Sequence, residues 1–469
     1  MSIVSYNKDL GKEYSYVFFK TGVVITTHDY NGIYVRQCLE CYIRELPKNY
    51  FIVLFINESS DDITISLQKT YADNNNINII IIENQTEFGG LTGTWNKGID
   101  LCLENNCDII ILSNDDILFD NSIINIIWDC HKQKNEMKYF GPITNNPGPA
   151  KNNLIQYGTH PVNTKNKICL FNNETCNLNG FFMVFSKINL IKNKFNKKHY
   201  FNPERPFGGN EIEWFNRFKK LGGIPIIVSK TFIYHYKLAK WRNKEQNNVC
   251  IYTVNTGSYE EDIIYLKKSD IDTLYFTDNF DTIYKCINLK LKPFYVDSKD
   301  KEAKLLQRII KTNPCDFLPH HYKRSVYIDG NIKIKNYRIL KHHIKRHNFD
   351  IICFKHSRRT TIKDEAIIVL RQNLEIKSNI NKVISEFKDN NFLDNIGLTV
   401  TNVLIRSHRK IQEFNKDWCR CINICRRDQI SFDFLLYKHK IKYHRLGTII
   451  KNRLSRQHAH INPYKRKMD

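Results

Sequence analysis

The sequence predicts an α/β protein with two Rossmann-like, mostly parallel sheets in tandem. Three observations predict it. Short apolar runs alternate with stretches of helical periodicity, the pattern of strands buried on both faces between helices. That alternation stops at a polar, charged stretch, 242–248, and then begins again. The length, 469 residues, is more than one ordinary core organises. The expected domains are therefore 1–245 and 246–469.

In the first domain, apolar runs at 23–27, 50–56, 77–82, 109–112, 181–185 and 224–228 have strand length and a β-branched or aromatic content. Between them, 34–45, 92–104 and 123–132 repeat apolar residues every three or four positions, one face of a helix. In the second domain, strands are expected at 249–261, 273–277, 325–328, 351–354 and around 403–405, and helices at 298–311 and 380–390. Strand–helix–strand order makes a parallel sheet, whose ligands bind at the C-terminal strand ends. The polar residues just after each strand are the ones to weigh.

Composition narrows the class. Hydrophobic residues at 42% and aromatics at 12% exclude a disordered chain. No apolar run reaches the roughly 18 residues of a membrane span, and the start lacks a signal-peptide pattern. Fourteen cysteines then read as reduced thiols of a soluble, cytoplasmic protein. Cys419, Cys421 and Cys425, with His408 nearby, lack the matching second pair of a zinc site. The net charge is +23, of which 1–245 carry +4 and 246–469 carry +19. No carboxylate lies between Asp433 and Asp469, while nine basic residues run from Lys440 to Lys467. A tail at 440–469 is either a solvated face or a docking surface for a polyanion such as glycan or membrane. Nucleic acid is disfavoured, because the basic residues are spread through the elements rather than interleaved with aromatics on one stripe.

In the first domain, Thr27 and Asp29 follow the first strand, and Glu58 follows the second. A Gly-rich turn follows the third and opens a helix carrying Asn96. Asp115 and Asp116 in "SNDD" follow the fourth. Carboxylates at a strand end beside such a turn suit a divalent ion bridging to a diphosphate, though Asn-Asp-Asp is also ordinary turn chemistry. Then come "NGFFMVFSK", "FNPERPFGGNEIEWFNRFKKLGG" and "VSKTFIYHYK". Over about 20–240, this order resembles the inverting glycosyltransferases of family 2, which have the GT-A fold. The resemblance implies Asp115 as metal ligand with Asp116 as its alternate on the donor side, and His235 as a late metal ligand. It implies Glu211 as catalytic base with Glu213 on the next turn, and Arg217 holding that helix. Thr27, Asp29 and Glu58 would flank the nucleotide, with Asn96 below the sugar phosphate. Ile56 and Ser113 stand where the family usually has carboxylate or amide residues, which marks the first domain as the one departing from the pattern.

In the second domain, "YTVNTGSYE", "LYFTD", "SVYIDGNI", "FKHSRR", "VLIRSH" and "RRDQISF" occur in order. Over about 249–445 the series resembles the plant mucilage and pectin-type glycosyltransferase-like family, formerly a domain of unknown function. The resemblance implies a second GT-A-like module. Thr253, Gly257, Asp278, Lys304, His356 and Arg358 would face the donor, Glu365 would shape the acceptor side, and Asp428 and Gln429 would be catalytic. Asp329 and Asn331 would hold the metal, although Asp-Gly-Asn is also a good hairpin turn. The expectation is a glycosyltransferase with two modules, each using a nucleotide-sugar, UDP-sugar first, and Mn²⁺ or Mg²⁺, acting on a glycan or glycoprotein. The alternative is one active module beside a degenerate binding or structural one.

Overall fold

The computed structural model describes residues 3–7, 12–16, 19–27, 32–46, 50–56, 79–83, 88–120, 123–132, 136–146, 156–161, 168–170, 178–236, 248–257, 266, 270–298 and 302–457. The chain divides into two compact units, Met1–Arg242 and Asn243–Asp469. Among the described residues, no helix is long and apolar enough to cross a membrane.

The first unit opens with an antiparallel hairpin, β1 (Ile3–Asn7) and β2 (Lys12–Tyr16). Its main sheet holds β3 (Thr21–Thr26), β4 (Tyr50–Ile56), β5 (Ile79–Glu83), β6 (Ile109–Asn114), β7 (Ile117–Phe119), β8 (Lys138–Thr144), β9 (Ile168–Leu170), β10 (Phe182–Ser186) and β11 (Ile224–His235). The spatial order is β5-β4-β3-β6-β10-β8-β11-β7, with β9 beside β11. Helices Gly32–Glu45, Gly90–Glu104 and Ile123–Lys132 pack on it. Val23, Val24, Ile25 and Ile110 are fully buried, which is why these strands read as unbroken apolar runs. A Cβ at Gly98 would meet Val24 Cγ1 at 2.4 Å, so glycine lets that helix lie against β3. The last strand is longer than its apolar run at 224–228. A register shift between Val228 and Phe232 absorbs the polar Ser229 and Lys230, and pairing resumes to His235.

The second unit's sheet holds β12 (Val249–Asn255), β13 (Asp272–Thr277), β14 (Lys292–Tyr295), β15 (Arg324–Ile328), β17 (Ile351–Lys355), β18 (Thr399–Arg406) and β19 (Tyr443–Leu446). β16 (Ile332–Ile334) pairs separately with β20 (Ser455–Gln457). The order is β14-β13-β12-β15-β18-β17-β19. The helix expected at 298–311 begins only at Ala303, and that at 380–390 is Lys377–Asp389.

Both sheets follow one plan. Number the shared strands in chain order, β3, β4, β5, β6, β8, β10, β11 in one and β12, β13, β14, β15, β17, β18, β19 in the other. Each sheet then reads 3-2-1-4-6-5-7. In each, the sixth strand runs antiparallel to both neighbours and the fifth and seventh are parallel.

The basic tail expected at 440–469 is corrected over its first part. Residues 443–446 form β19 against β17, 448–454 form a helix, and 455–457 form β20. Arg445 reaches inward to Asp433, which is fully buried, at 2.7 Å. The charge count treated as solvated a segment that closes the sheet. Residues 458–469 lie outside the described residues.

Candidate active site

In the first unit the chemistry gathers at the C-terminal ends of the parallel strands. β6 ends in Asn114, whose N–H donates to Phe181 O at 2.9 Å. Ser113 turns into the core beside Cys38, with its hydroxyl donating to Asn114 O at 2.7 Å. Strand alternation turns it to the face opposite Asn114. Asp115 and Asp116 follow, both buried. Antiparallel pairing of Ile117 with His235 then brings His235 Nε2 to 3.4 Å from Asp116 Oδ1. The carboxylate that meets His235 is thus Asp116, the alternate of the pair. Asp115 lies toward Cys38, whose thiol burial, together with Cys41 and Asp115, pushes up. The imidazole is fixed by stacking on Phe181, 4.6 Å between centroids, and by Nδ1 at 3.3 Å from Asn146 O.

Glu211 stands on the other side of the same segment. It opens the helix Asn210–Lys220, after Gly208 and Gly209 at φ 136° and 66°. A Cβ at Gly180 would lie 3.3 Å from Glu211 Cδ, so the carboxylate rests against Gly180 while His235 rests against Phe181. Burial pushes the Glu211 carboxyl above its ordinary value, opposed by a backbone N–H. Glu213 is different. It pairs with Arg217 Nε at 2.7 Å, and Arg217 also donates to Tyr200 O at 2.8 Å, so both tie the helix to the preceding loop.

Asn96 is corrected from a donor contact to a support. Its Oδ1 accepts the N–H groups of Tyr200 and Phe201, both at 2.9 Å, and its Nδ2 donates to Phe201 O at 3.0 Å. This fixes the loop that leads to Glu211. Asn96→Ala is expected to cost the first unit about 3 kcal/mol in denaturant unfolding, because buried backbone groups lose their partners. A loss under about 0.5 kcal/mol would mean that water replaces the amide. Thr27 is buried past the end of β3, its N–H on Phe55 O at 3.1 Å. Asp29 and Glu58 lie outside the described residues.

For a divalent ion, the donor set here is one carboxylate and one imidazole, both buried and 3.4 Å apart. Among the described residues no third His, Cys, Asp or Glu converges on them. Two protein ligands suit an ion that takes its remaining oxygens from a diphosphate and water.

In the second unit the same strand ends hold a different constellation. Lys311 Nζ lies 2.5 Å from Asp428 Oδ2 and 3.4 Å from Asp329 Oδ1. Thr401 donates to Asp428 at 2.7 Å and Tyr327 to Asp329 at 2.8 Å. Burial alone would push Asp428 up, but Lys311 and Arg308 hold it well below the usual carboxylate range. Burial raises Asp329 despite Lys311. A carboxylate held that low and paired with Lys311 is a poor base. Gln429 donates to Thr399 O at 2.9 Å and serves the strand. Lys304 sits one face-repeat earlier, in the first turn of the helix Ala303–Thr312, and the lysine that enters the site is Lys311 in the last turn.

The other expected residues fall around this centre. Asp278 accepts the Gly257 N–H at 2.8 Å and the Ser298 hydroxyl at 2.7 Å, clamping the turn after β12, where Gly257 has φ 70°. Thr253 is buried two residues inside β12, short of that border. His356 Nδ1 accepts the N–H groups of Arg358 and Arg359 at 3.1 and 2.8 Å, and burial with nearby Arg359 lowers it to about 4, so it is neutral. Arg358 is exposed, and Arg359 is the partner of buried Glu365, at 2.5 Å.

The two sites can be matched by register. Asp329 N–H donates to Asn402 O at 2.9 Å, as Asn114 does to Phe181 O. Asp329 therefore takes the place of Asn114, Asn331 that of Asp116, and Thr401 that of Gly180. Ile332 pairs with Gln457 where Ile117 pairs with His235, so Gln457 takes the place of His235. Asp428 touches Thr401 as Glu211 touches Gly180. The metal expectation for Asp329 and Asn331 does not fit. The positions of the carboxylate–imidazole pair hold two amides, and an ammonium group fills the space between the two carboxylates.

Residues 22–190 match the family model described as Glycosyl transferase family 2. No curated protein sequence matches the chain. Similar solved structures include GalNAc-T7 with UDP, GalNAc and Mn²⁺, at 13% identity and TM-score 0.36, over 49% of this chain and 46% of that one. TarS 1–349 of S. aureus has 14% identity and TM-score 0.34, over 46% and 60%. The mannosyltransferase PcManGT from Pyrobaculum calidifontis, in complex with GDP-Man and Mn²⁺, has 12% identity and TM-score 0.33, over 46% and 56%. The chain thus covers only 46%, 60% and 56% of their lengths. Within the first unit, residues 22–190 are thus similar to glycosyl transferase family 2, and its 3-2-1-4-6-5-7 sheet is an α/β fold consistent with the GT-A class.

Proposed function

We propose that the first unit transfers a sugar from a nucleotide-sugar to a hydroxyl of a glycan or glycoprotein. Glu211 is the base, and Asp116 and His235 are the protein ligands of a divalent ion. The observation that carries this reading is the Gly180–Phe181 step, in the segment that matches family 2, which sets Glu211 against one residue and His235 against the next.

Glu211 takes the proton of the acceptor hydroxyl. The oxygen forms a bond to the anomeric carbon as the carbon–phosphate-oxygen bond breaks, with inversion, and the nucleoside diphosphate leaves with the electron pair. Mn²⁺ or Mg²⁺, when bound, supplies charge that neutralises the leaving diphosphate. Phe181 keeps the imidazole edge toward Asp116, and the tie from Asn96 to residues 200–201 steadies the loop behind Glu211. UDP-sugars are the first donors to try.

The test is a panel of UDP- and GDP-sugars, with release of the nucleoside diphosphate measured with and without Mn²⁺. Asp116→Asn is expected to lower Mn²⁺-dependent release at least 100-fold. Undiminished Mn²⁺-dependent release from Asp116→Asn would sink the assignment.

A further inference from the structure

The second unit shares the first unit's topology but not its means of handling charge. Two carboxylates, Asp329 and Asp428, converge at the C-terminal ends of its strands, which is where a divalent ion would be expected. Lys311 already lies between them, with its side chain only 6% exposed. Its position is enforced. It stands in the last turn of the helix Ala303–Thr312, where a cation is favoured. Its carbonyl accepts from Tyr252 at 3.2 Å and from the fully buried Arg406, and its ammonium also donates to Thr401 at 3.3 Å and lies 4.9 Å over the Tyr327 ring. An ion entering here would have to displace a buried ammonium that satisfies both carboxylates.

A second cation stands on the same helix. Arg308 lies one helical turn before Lys311 on the same face, and the fields of Asp428, Arg427, Asp329 and Glu375 all act on it. Among the described residues its guanidinium makes no hydrogen bond or ion pair, although burial already penalises its charge. With Lys311 committed to Asp329 and Asp428, the Arg308 guanidinium is the cation left for a phosphate oxygen to satisfy.

We propose that the second unit binds the diphosphate of a nucleotide without a divalent ion, Lys311 permanently filling the seat between Asp329 and Asp428 while Arg308 faces the phosphates. The proposal rests on reading the second unit as a sister of the first that binds at its C-terminal strand ends. It places the metal-dependent chemistry of the chain in the first unit alone.

The full chain is titrated calorimetrically with pyrophosphate, in EDTA and then in Mn²⁺. In EDTA, one site per chain is expected. Asp116→Asn should leave it unchanged, and Arg308→Met should weaken it at least tenfold. Binding that appears only with Mn²⁺ and disappears in Asp329→Asn would overturn the proposal while sparing the reading of the unit as a diphosphate site. No binding under either condition in a folded chain would overturn both. Mn²⁺ paramagnetic resonance gives a second measurement. The Asp116→Asn chain is expected to bind no Mn²⁺, and adding Lys311→Met to create one site. Bound Mn²⁺ in Asp116→Asn that Asp329→Asn removes would refute the exclusion directly.

Discussion

Replacing Glu211 by glutamine is expected to lower sugar transfer by about 10²–10⁴-fold while leaving the first unit at least as stable at neutral pH. Glutamine keeps the shape and the contact with Gly180 but cannot take a proton. Burial pushes the Glu211 carboxyl up, with a backbone N–H opposing, so the ionised form needed for catalysis is the one the fold disfavours. The sign for stability follows. Between the ordinary carboxyl value and the raised one, the folded chain holds a proton that the unfolded chain has lost. Stability therefore falls as pH rises through that window and stays lower above it. Glutamine escapes this cost. The acidic limb of the kcat–pH profile should lie above the ordinary glutamate range in the parent and vanish in Glu211→Gln. Rate and denaturant stability falling together would point to a structural role, and a rate within threefold of the parent would rule Glu211 out as the base.

The strand alternation was legible because the central strands are buried on both faces, so their runs stand out without any phase to resolve. β8 was not, since its sequence KYFGPIT carries Gly141 and Pro142, which normally argue against a strand between two others. The choice between Asp115 and Asp116 was illegible for another reason. Neighbouring residues on a turn differ only in direction, and the Ile117–His235 pairing that sets the direction joins segments more than a hundred residues apart. Lys304 and Lys311 present the same difficulty on a helix. Seven residues apart they share a face, and periodicity cannot say which turn reaches the strand ends. The basic stretch after Asp433 failed because net charge counts Arg445 as solvated, whereas its partner lies earlier in the chain and fully inside.

That partner sets the largest expected effect on stability. Asp433→Ala should destabilise the second unit by about 3–5 kcal/mol, the cost of leaving one member of a buried ion pair alone. Asp433 accepts from Thr399 N at 2.8 Å, Thr399 Oγ1 at 2.5 Å and Arg445 Nη2 at 2.7 Å. Those bonds join the helix Asp428–Lys438, the start of β18 and the edge strand β19 in one network. The same helix opens at Asp428 and the same strand carries Thr401, so loosening the network also frees the partners of Lys311. Burial raises the Asp433 carboxyl even with Arg445 and Thr399 beside it, while Asp433 in turn raises Arg445, so both charges depend on each other's presence. The paired replacement Asp433→Leu with Arg445→Met should therefore recover most of the loss, because neither charge is then stranded. Urea unfolding of the parent, Asp433→Ala and the double variant measures it. If Asp433→Ala costs less than about 1 kcal/mol, the network is not what holds β19 to the sheet. If the double variant is no more stable than the single one, packing rather than charge is what Asp433 supplies.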